Sequence, residues 1–336
     1  MPPTYVEEAF GILTDDDLYL DCVLFKPANA DDASLKALRI WVPRYPLTKA
    51  SVITCARQEV DALGSNGRVA HLAFDLRSTG ESEGLAGDFD FDADLSAIAL
   101  WARERFGDIN VGFLGRPQGE EQVDVRPIRP GVVMETYHYH PVNGAGAAAG
   151  TPLIYLATYG NFSAADETTC KALSAAGYDV LAMDPLRYLL HACAQGRVTI
   201  PELWQDLQAL CSRLPSPPLL LGKPVSAGLA LLWASGVEEV LGVLAIGQTQ
   251  SAFRPHHIFA NDNPHTFFLA RYVHKIAPRP VAYVHESGHP LGGSRDELSA
   301  LHETSTGPRR LEHVERVSNE LLLELLEWLQ NPTNPN

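Results

Sequence analysis

Apolar runs of strand length alternate with helical patterns along this chain, and the alternation starts over before its midpoint. That pattern confines the fold to repeated strand–helix–strand units on parallel sheets. The first pass opens with a hairpin over 9–27, AFGILTDDDLYLDCVLFKP, turned by Thr14 to Asp17. It continues through the run LRIWV, a helix from about Thr48 to Leu63, the strand RVAHLAFD, a helix around Asp92 to Phe106 and the strand INVGFLG. A second hairpin, QVDVRPIRPGVVMETYHYHP, leads through the linker VNGAGAAAG into the strand PLIYLATYG. The helix ADETTCKALSAAG, the strand YDVLAMD, the helix PELWQDLQALCSRL and the strand PLLLG follow in the same order as before.

Landmarks recur with this alternation. Lys26-Pro27 and His140-Pro141 stand as far apart as Tyr45 and Tyr159, and Thr54-Cys55 recurs at Thr169-Cys170 with one residue more between. Asp75 with Asp184 and Gly115 with Gly222 continue the series, the drift falling in loops. So long a period predicts two copies of one domain rather than a solenoid. The first unit, 1–120, stops after its fifth strand. The second and more complete unit, 121–336, runs on through VEEVLGVLAIG and RPVAYVHESG. It ends in a helix from Asn319 to Gln330 whose Leu322, Leu325, Leu326 and Leu329 share one face.

The segment DLRSTGESEG, from Asp75 to Gly84, resembles the aspartate, arginine, glycine, serine, glycine turn that follows the fourth strand of α/β-hydrolases. LLLGKPVSAGLALLWA is similar to that family's fifth strand, nucleophile elbow and following helix, and INVGFLGRPQG to the same place in the first unit. The resemblance implies an α/β fold of tandem hydrolase-like units, each with a mostly parallel central sheet flanked by helices. It also implies a nucleophile at the centre of G-x-S-x-G, where a sharp turn lifts it above the sheet. Aligned by strand and glycine, that position holds Pro117 in the first unit and Pro224 in the second, preceded by Arg116 and Lys223. Proline has no nucleophilic atom, and its fixed φ suits the elbow poorly. The acid expected after RPVAYVH is replaced by Glu286, Ser287, Gly288 and His289, with no aspartate before Asp296. The histidine expected after RRLEHVERV gives way to Ser318 and Asn319.

The expectation is a pseudo-hydrolase without a serine–histidine–acid relay. It would bind a small molecule or peptide, or dock a protein partner or a second copy, as a scaffold; a biosynthetic setting is an analogy. The remnant site would comprise Arg116, Pro117, Lys223, Pro224 and the recurring Tyr45 and Tyr159. Two catalytic alternatives compete with it. Reading PVSAG in a shifted register makes Ser226 the nucleophile of a hydrolase or acyltransferase. Residues 285–289, HESGH, spell a literal H-E-x-x-H, which on a helix would hold zinc through His285 and His289 with Glu286 as general base. Gly292 falls where the longer metzincin form has its glycine, but Arg295 falls where its third ligand should be. Asp75 with Arg77 reads as a structural turn contact, and Asp88 to Asp94 as a solvated loop and helix start.

Charge narrows the partners. Lys and Arg number 26 against 41 Asp and Glu, a formal net charge of -15, which repels a phosphate backbone. Five scattered cysteines without a C-x-x-C indicate neither a disulfide framework nor a cysteine zinc site and point to a reducing cytoplasm. The N-terminus lacks a signal pattern and no apolar run spans a bilayer, so secretion and membrane insertion are not expected. No cofactor is expected apart from zinc in the HESGH alternative.

Overall fold

The computed structural model describes residues 4–117, 123–142, 150–158, 162–193, 198–247, 252–253, 267–290 and 293–332. Contacts divide the chain into two compact units, Met1–Glu121 with Gly160–Ala164, and Gln122–Tyr159 with Ala165–Asn336.

In the first unit, β1 (Tyr5–Leu13) and β2 (Tyr19–Pro27) form the opening hairpin. The Leu18 N–H donates to Thr14 Oγ1 at 3.0 Å, and Asp17 takes the left-handed conformation at φ 62°. Then come β3 (Ala37–Trp41), α1 (Ala50–Leu63), β4 (Val69–Phe74), α2 (Phe91–Phe106) and β5 (Asn110–Leu114). The sheet runs β1-β2-β4-β3-β5, with β4, β3 and β5 parallel and β5 at its edge. Ala56 and Val60 of α1 pack on Phe25 and Ala73. Helix α2 starts where the Asp90 carboxylate accepts from Ala93 N, with Asp92 and Asp94 in its first turn and Arg103 and Arg105 in its last. Both ends therefore suit the helix dipole.

The segment after β4 is held by buried charge. Asp75 accepts from Lys49 N and Lys49 Nζ, both at 2.6 Å, and from Glu81 N at 3.1 Å. Gly80 lets the turn fold onto this carboxylate, since an added Cβ would meet Asp75 Oδ2 at 2.1 Å. Arg77 is 1% exposed and bonds Asp94, which is fully buried, through its backbone N (2.8 Å) and Nε (2.7 Å). Its guanidinium also reaches Asp16 and Asp88. The expected Asp75–Arg77 contact is thus two separate anchors. The run from Asp88 to Asp94 is correspondingly more than solvated surface, because it supplies the counter-charge for a buried arginine. Burial pushes the Asp94 carboxyl up from its ordinary range, against the pull of the Arg77 hydrogen bonds.

The second unit opens with β6 (Val123–Arg129) and β7 (Val132–Tyr139), an antiparallel hairpin with an irregularity between Pro127 and Arg129. There follow β8 (Pro152–Leu156), α3 (Ala164–Ala175), β9 (Asp179–Met183), α4 (Pro185–Cys193), α5 (Ile200–Cys211), β10 (Leu219–Gly222) and α6 (Ala227–Ala234). The chain continues through β11 (Gly242–Ile246), the two-residue strands β12 (Ala252–Phe253) and β13 (Phe267–Phe268), β14 (Val281–Glu286), α7 (Arg295–Thr304), β15 (Arg309–Val314) and α8 (Asn319–Gln330). The eight-stranded sheet is ordered β15-β14-β11-β10-β8-β9-β7-β6. From β9 to β15 all neighbours are parallel, so those strands are continuous apolar runs such as PLIYL and GVLAI. Read from the first hairpin outward, the order of its first five strands repeats that of the first sheet.

Helices α4 and α7 are additions to the sequence reading. Asp184, the counterpart of Asp75, accepts from Leu186 N at 2.9 Å and starts α4. Ser294 starts α7 by accepting from Glu297 N. All eight residues of α6 are buried, with Trp233 fully enclosed, and it sits in the unit's main core. Four of the five cysteines are buried, all are free thiols, and among the described residues no helix is long and apolar enough to cross a membrane.

Two predictions follow from the first unit's core. Asp94→Ala leaves a buried arginine short of its main partner and is expected to cost about 3 kcal/mol in urea unfolding. Asp92→Ala, exposed on the same turn, should cost less than about 0.5 kcal/mol. His71, 1% exposed, accepts from Trp41 Nε1 at 3.0 Å through Nδ1, and burial lowers its pKa from the ordinary 6.5. The folded state therefore favours neutral His71, so this stability is complete above about pH 6.5 and declines as pH falls toward the lowered folded value. His71→Gln keeps an acceptor for Trp41 and should show a smaller loss of Tm between neutral and mildly acidic pH than the parent chain.

Candidate functional site

In the second unit the site is the turn from β10 into α6. Lys223 N donates to Leu156 O at 3.0 Å, which holds the end of β10 against β8, and Ala227 N donates to Lys223 O at 2.8 Å, which closes the turn. Gly222 is required here, because an added Cβ would meet Ala227 Cα at 2.5 Å. The left-handed residue of the turn is Val225, at φ 71°. This corrects the alignment that put Pro224 at the apex. A pyrrolidine ring holds φ near about -65°, so the strained conformation falls on the following residue. Pro224 is buried beneath the turn, Lys223 is half-buried, and Val225 is 43% exposed. Sequence reasoning missed Val225, although the proline itself was the signal.

Ser226 is fully buried, and its hydroxyl donates to Ala157 O at 2.5 Å. It ties the first turn of α6 to the loop after β8 and presents no face to a substrate. The displaced-nucleophile register is therefore corrected too: Ser226 is a structural donor at the start of a helix. Cys170 is no substitute, since burial pushes its thiol well above the ordinary range.

The other positions of a relay are also occupied by structural groups. His285 and Glu286 close β14, and Ser287 to Pro290 form a turn, so His285 and His289 do not share a helix face. This overturns the helical zinc arrangement: the valine- and tyrosine-rich approach extends the parallel sheet instead. The Glu286 carboxylate is 9% exposed and accepts from Val317 N at 2.9 Å, pinning the loop after β15. His285 lies beside His313 of β15, with ring centroids 5.6 Å apart. Among the described residues no group of three or more His, Cys, Asp or Glu is placed to hold a metal, and Gly292 lies outside those residues. Ser318, at the expected histidine position, caps α8 by accepting from Leu321 N, and Asp296 lies in the first turn of α7.

In the first unit the corresponding place is an open bowl. The end of β5 and the start of α2 enclose a cavity of about 710 Å³. Phe89, Phe91, Leu95, Phe113 and Pro117 provide its apolar surface; Asp90, Asp92 and Arg116 form its polar side. Tyr45 lies outside the lining, fully buried, with its ring 5.4 Å from that of Phe89 and 5.2 Å from that of Phe91. It supports the aromatic floor and does not face a ligand. Its counterpart Tyr159 lies outside the described residues. The structure thus brings together Arg116 and Pro117 at one place, and Lys223, Pro224 and Ser226 at another.

The strained valine yields a stability prediction. A β-branched residue in the left-handed region costs about 1–2 kcal/mol, more than the roughly 0.5–1 kcal/mol entropic penalty of glycine. Val225 is 43% exposed, so glycine would give up only part of a valine's burial. Relief of the strain should offset that loss, and Val225→Gly is expected to keep Tm within about 2 °C of the parent chain in a thermal melt, whereas valine-to-glycine ordinarily destabilises.

Each unit is a sheet with parallel strands, led by an antiparallel hairpin and flanked by helices, an α/β architecture. No protein-family model and no curated protein matches the sequence. Among solved structures the chain is similar to the esterase domain of a Rhodothermus marinus protein, with 19% identity, 62% of this chain and 95% of that chain covered, and a TM-score of 0.44. It is similar to Est1E of Butyrivibrio proteoclasticus at 14% identity, over 61% of this chain and 96% of that one, with a TM-score of 0.43. A putative dienelactone hydrolase of Klebsiella pneumoniae shares 14% identity over 62% of this chain and 98% of its own length, with a TM-score of 0.44.

Proposed function

We propose that this chain is a catalytically degenerate α/β-hydrolase-type protein that works by binding, holding a small ligand or docking a partner on a retained scaffold. The observation that carries the reading is the elbow of the second unit. Its left-handed apex carries the alkyl side chain of Val225, and the adjacent hydroxyl, Ser226, is buried against a carbonyl. Nucleophilic catalysis needs an accessible oxygen or sulfur in hydrogen-bond reach of a base. Here the apex offers carbon.

Supporting it, Glu286 and Ser318 hold backbone N–H groups where an acid and a histidine would be required. The recurrence of strand order and of Gly115 with Gly222 supports descent from a duplicated hydrolase-like unit, the first copy shortened after its fifth strand. A chain of this kind keeps the hydrolase packing and puts the space above the strand ends to another use.

The test is covalent. Intact-mass measurement after exposure to a fluorophosphonate, under conditions that label a serine esterase to completion, should return an unlabelled chain. Turnover of p-nitrophenyl esters should stay at the solvent rate and be unchanged in Ser226→Ala. A phosphonate adduct mapped to Ser226, with turnover abolished by that substitution, would sink the reading.

A further inference from the structure

The bowl of the first unit combines three features that recognise one kind of ligand. Its floor is aromatic and partly open to solvent, with Phe113 40% exposed beside Phe89 and Phe91. Arg116 on its polar side is exposed and, among the described residues, makes no ion pair, although the chain carries a net charge of -15. Across the start of α2 stand two exposed carboxylates. Asp92 has no hydrogen-bond partner among the described residues, and Asp90 accepts only from Ala93 N at 3.3 Å. An arginine guanidinium forks onto a carboxylate, aspartate carboxylates accept from an ammonium, and phenylalanine rings stack on an aromatic group.

From this we infer that the cavity is a binding site for a free aromatic amino acid. The ligand's carboxylate lies on Arg116, its ammonium on Asp90 and Asp92, and its ring on the floor made by Phe89, Phe91 and Phe113. A simple anion leaves the aspartates opposed, and a simple amine leaves Arg116 opposed. Only a zwitterion with an aromatic body satisfies both charges and the floor. The volume of about 710 Å³ falls within the range of small-molecule sites and leaves room for solvent around such a ligand. Tyr45, fully buried beneath Phe89 and Phe91, keeps the floor in place without touching the ligand. The inference rests on the reading that this chain works by binding, and it names what is bound.

Calorimetric titration of the full chain near neutral pH with L-phenylalanine, phenethylamine and 3-phenylpropionate tests it. L-Phenylalanine should bind saturably, and each analogue, lacking one charge, should bind at least about tenfold more weakly. Arg116→Gln should abolish the preference over phenethylamine, and Asp92→Asn should reduce the preference over 3-phenylpropionate. Both substitutions are at exposed positions, and circular dichroism would verify that the variants fold. Absence of saturable binding at millimolar phenylalanine, or equal binding of all three compounds, overturns the inference. Failure here is distinct from failure of the functional reading: an unlabelled chain that ignores phenylalanine overturns the ligand alone, whereas a phosphonate-labelled chain that binds it overturns the non-catalytic reading alone.

Discussion

Because Gly222 has no Cβ, the first turn of α6 can approach the end of β10 at a distance that any side chain would block, with Ala227 Cα 2.5 Å from where that Cβ would lie. Much of the second unit depends on this approach. It sets α6, apolar on every side, into the core between the sheet and the segment around Leu269 and Val273. It forces the intervening turn to be tight, which requires one residue with positive φ, and it brings Ser226 near enough to Ala157 to bond its carbonyl. The turn from β10 into α6 is thus first of all a packing device.

The alternation of strands and helices, both hairpins and the closing helix were legible in the sequence, because period and turn residues are local signals. Helix α4 was not: PLRYLLHAC follows directly on β9, and its start depends on Asp184 accepting from Leu186 N, a contact that resembles any aspartate before a proline. HESGH misleads for the opposite reason. Its letters match a metal helix, but the residues before it are fully buried strand, and sheet pairing of His285 with His313 decides the conformation. The run from Asp88 to Asp94 hides its role in the same way. One fully buried carboxylate among more exposed ones has no mark in the sequence, and only its partner Arg77 reveals it.

Positions that match between the two units do different work. Asp75 receives a lysine side chain and two backbone N–H groups in an irregular turn, whereas Asp184 starts a helix. In the first sheet β5 is an edge, whereas its counterpart β10 pairs on both sides. An edge strand leaves one row of backbone groups and one flank of its side chains without a neighbouring strand. Phe113 is exposed on β5 for that reason, and Leu219 to Gly222 are buried on β10 for the converse one. Among the described residues, the cavity of the first unit lies at the end of this edge strand.

Pro224 has a physical consequence for the turn from β10 into α6. With its φ fixed, Pro224 cannot be the left-handed residue, so the turn keeps its shape by passing the strain forward to Val225. The exposed, left-handed place in this turn is therefore position 225 and not position 224. The loop after β15 is likewise fixed: Glu286 holds it through Val317 N, and it leads straight into the Ser318 cap of α8. Glu286 and Ser318 each stabilise the fold by accepting from a backbone N–H, so substitution at either costs stability, whereas Val225 at the apex of the turn carries strain.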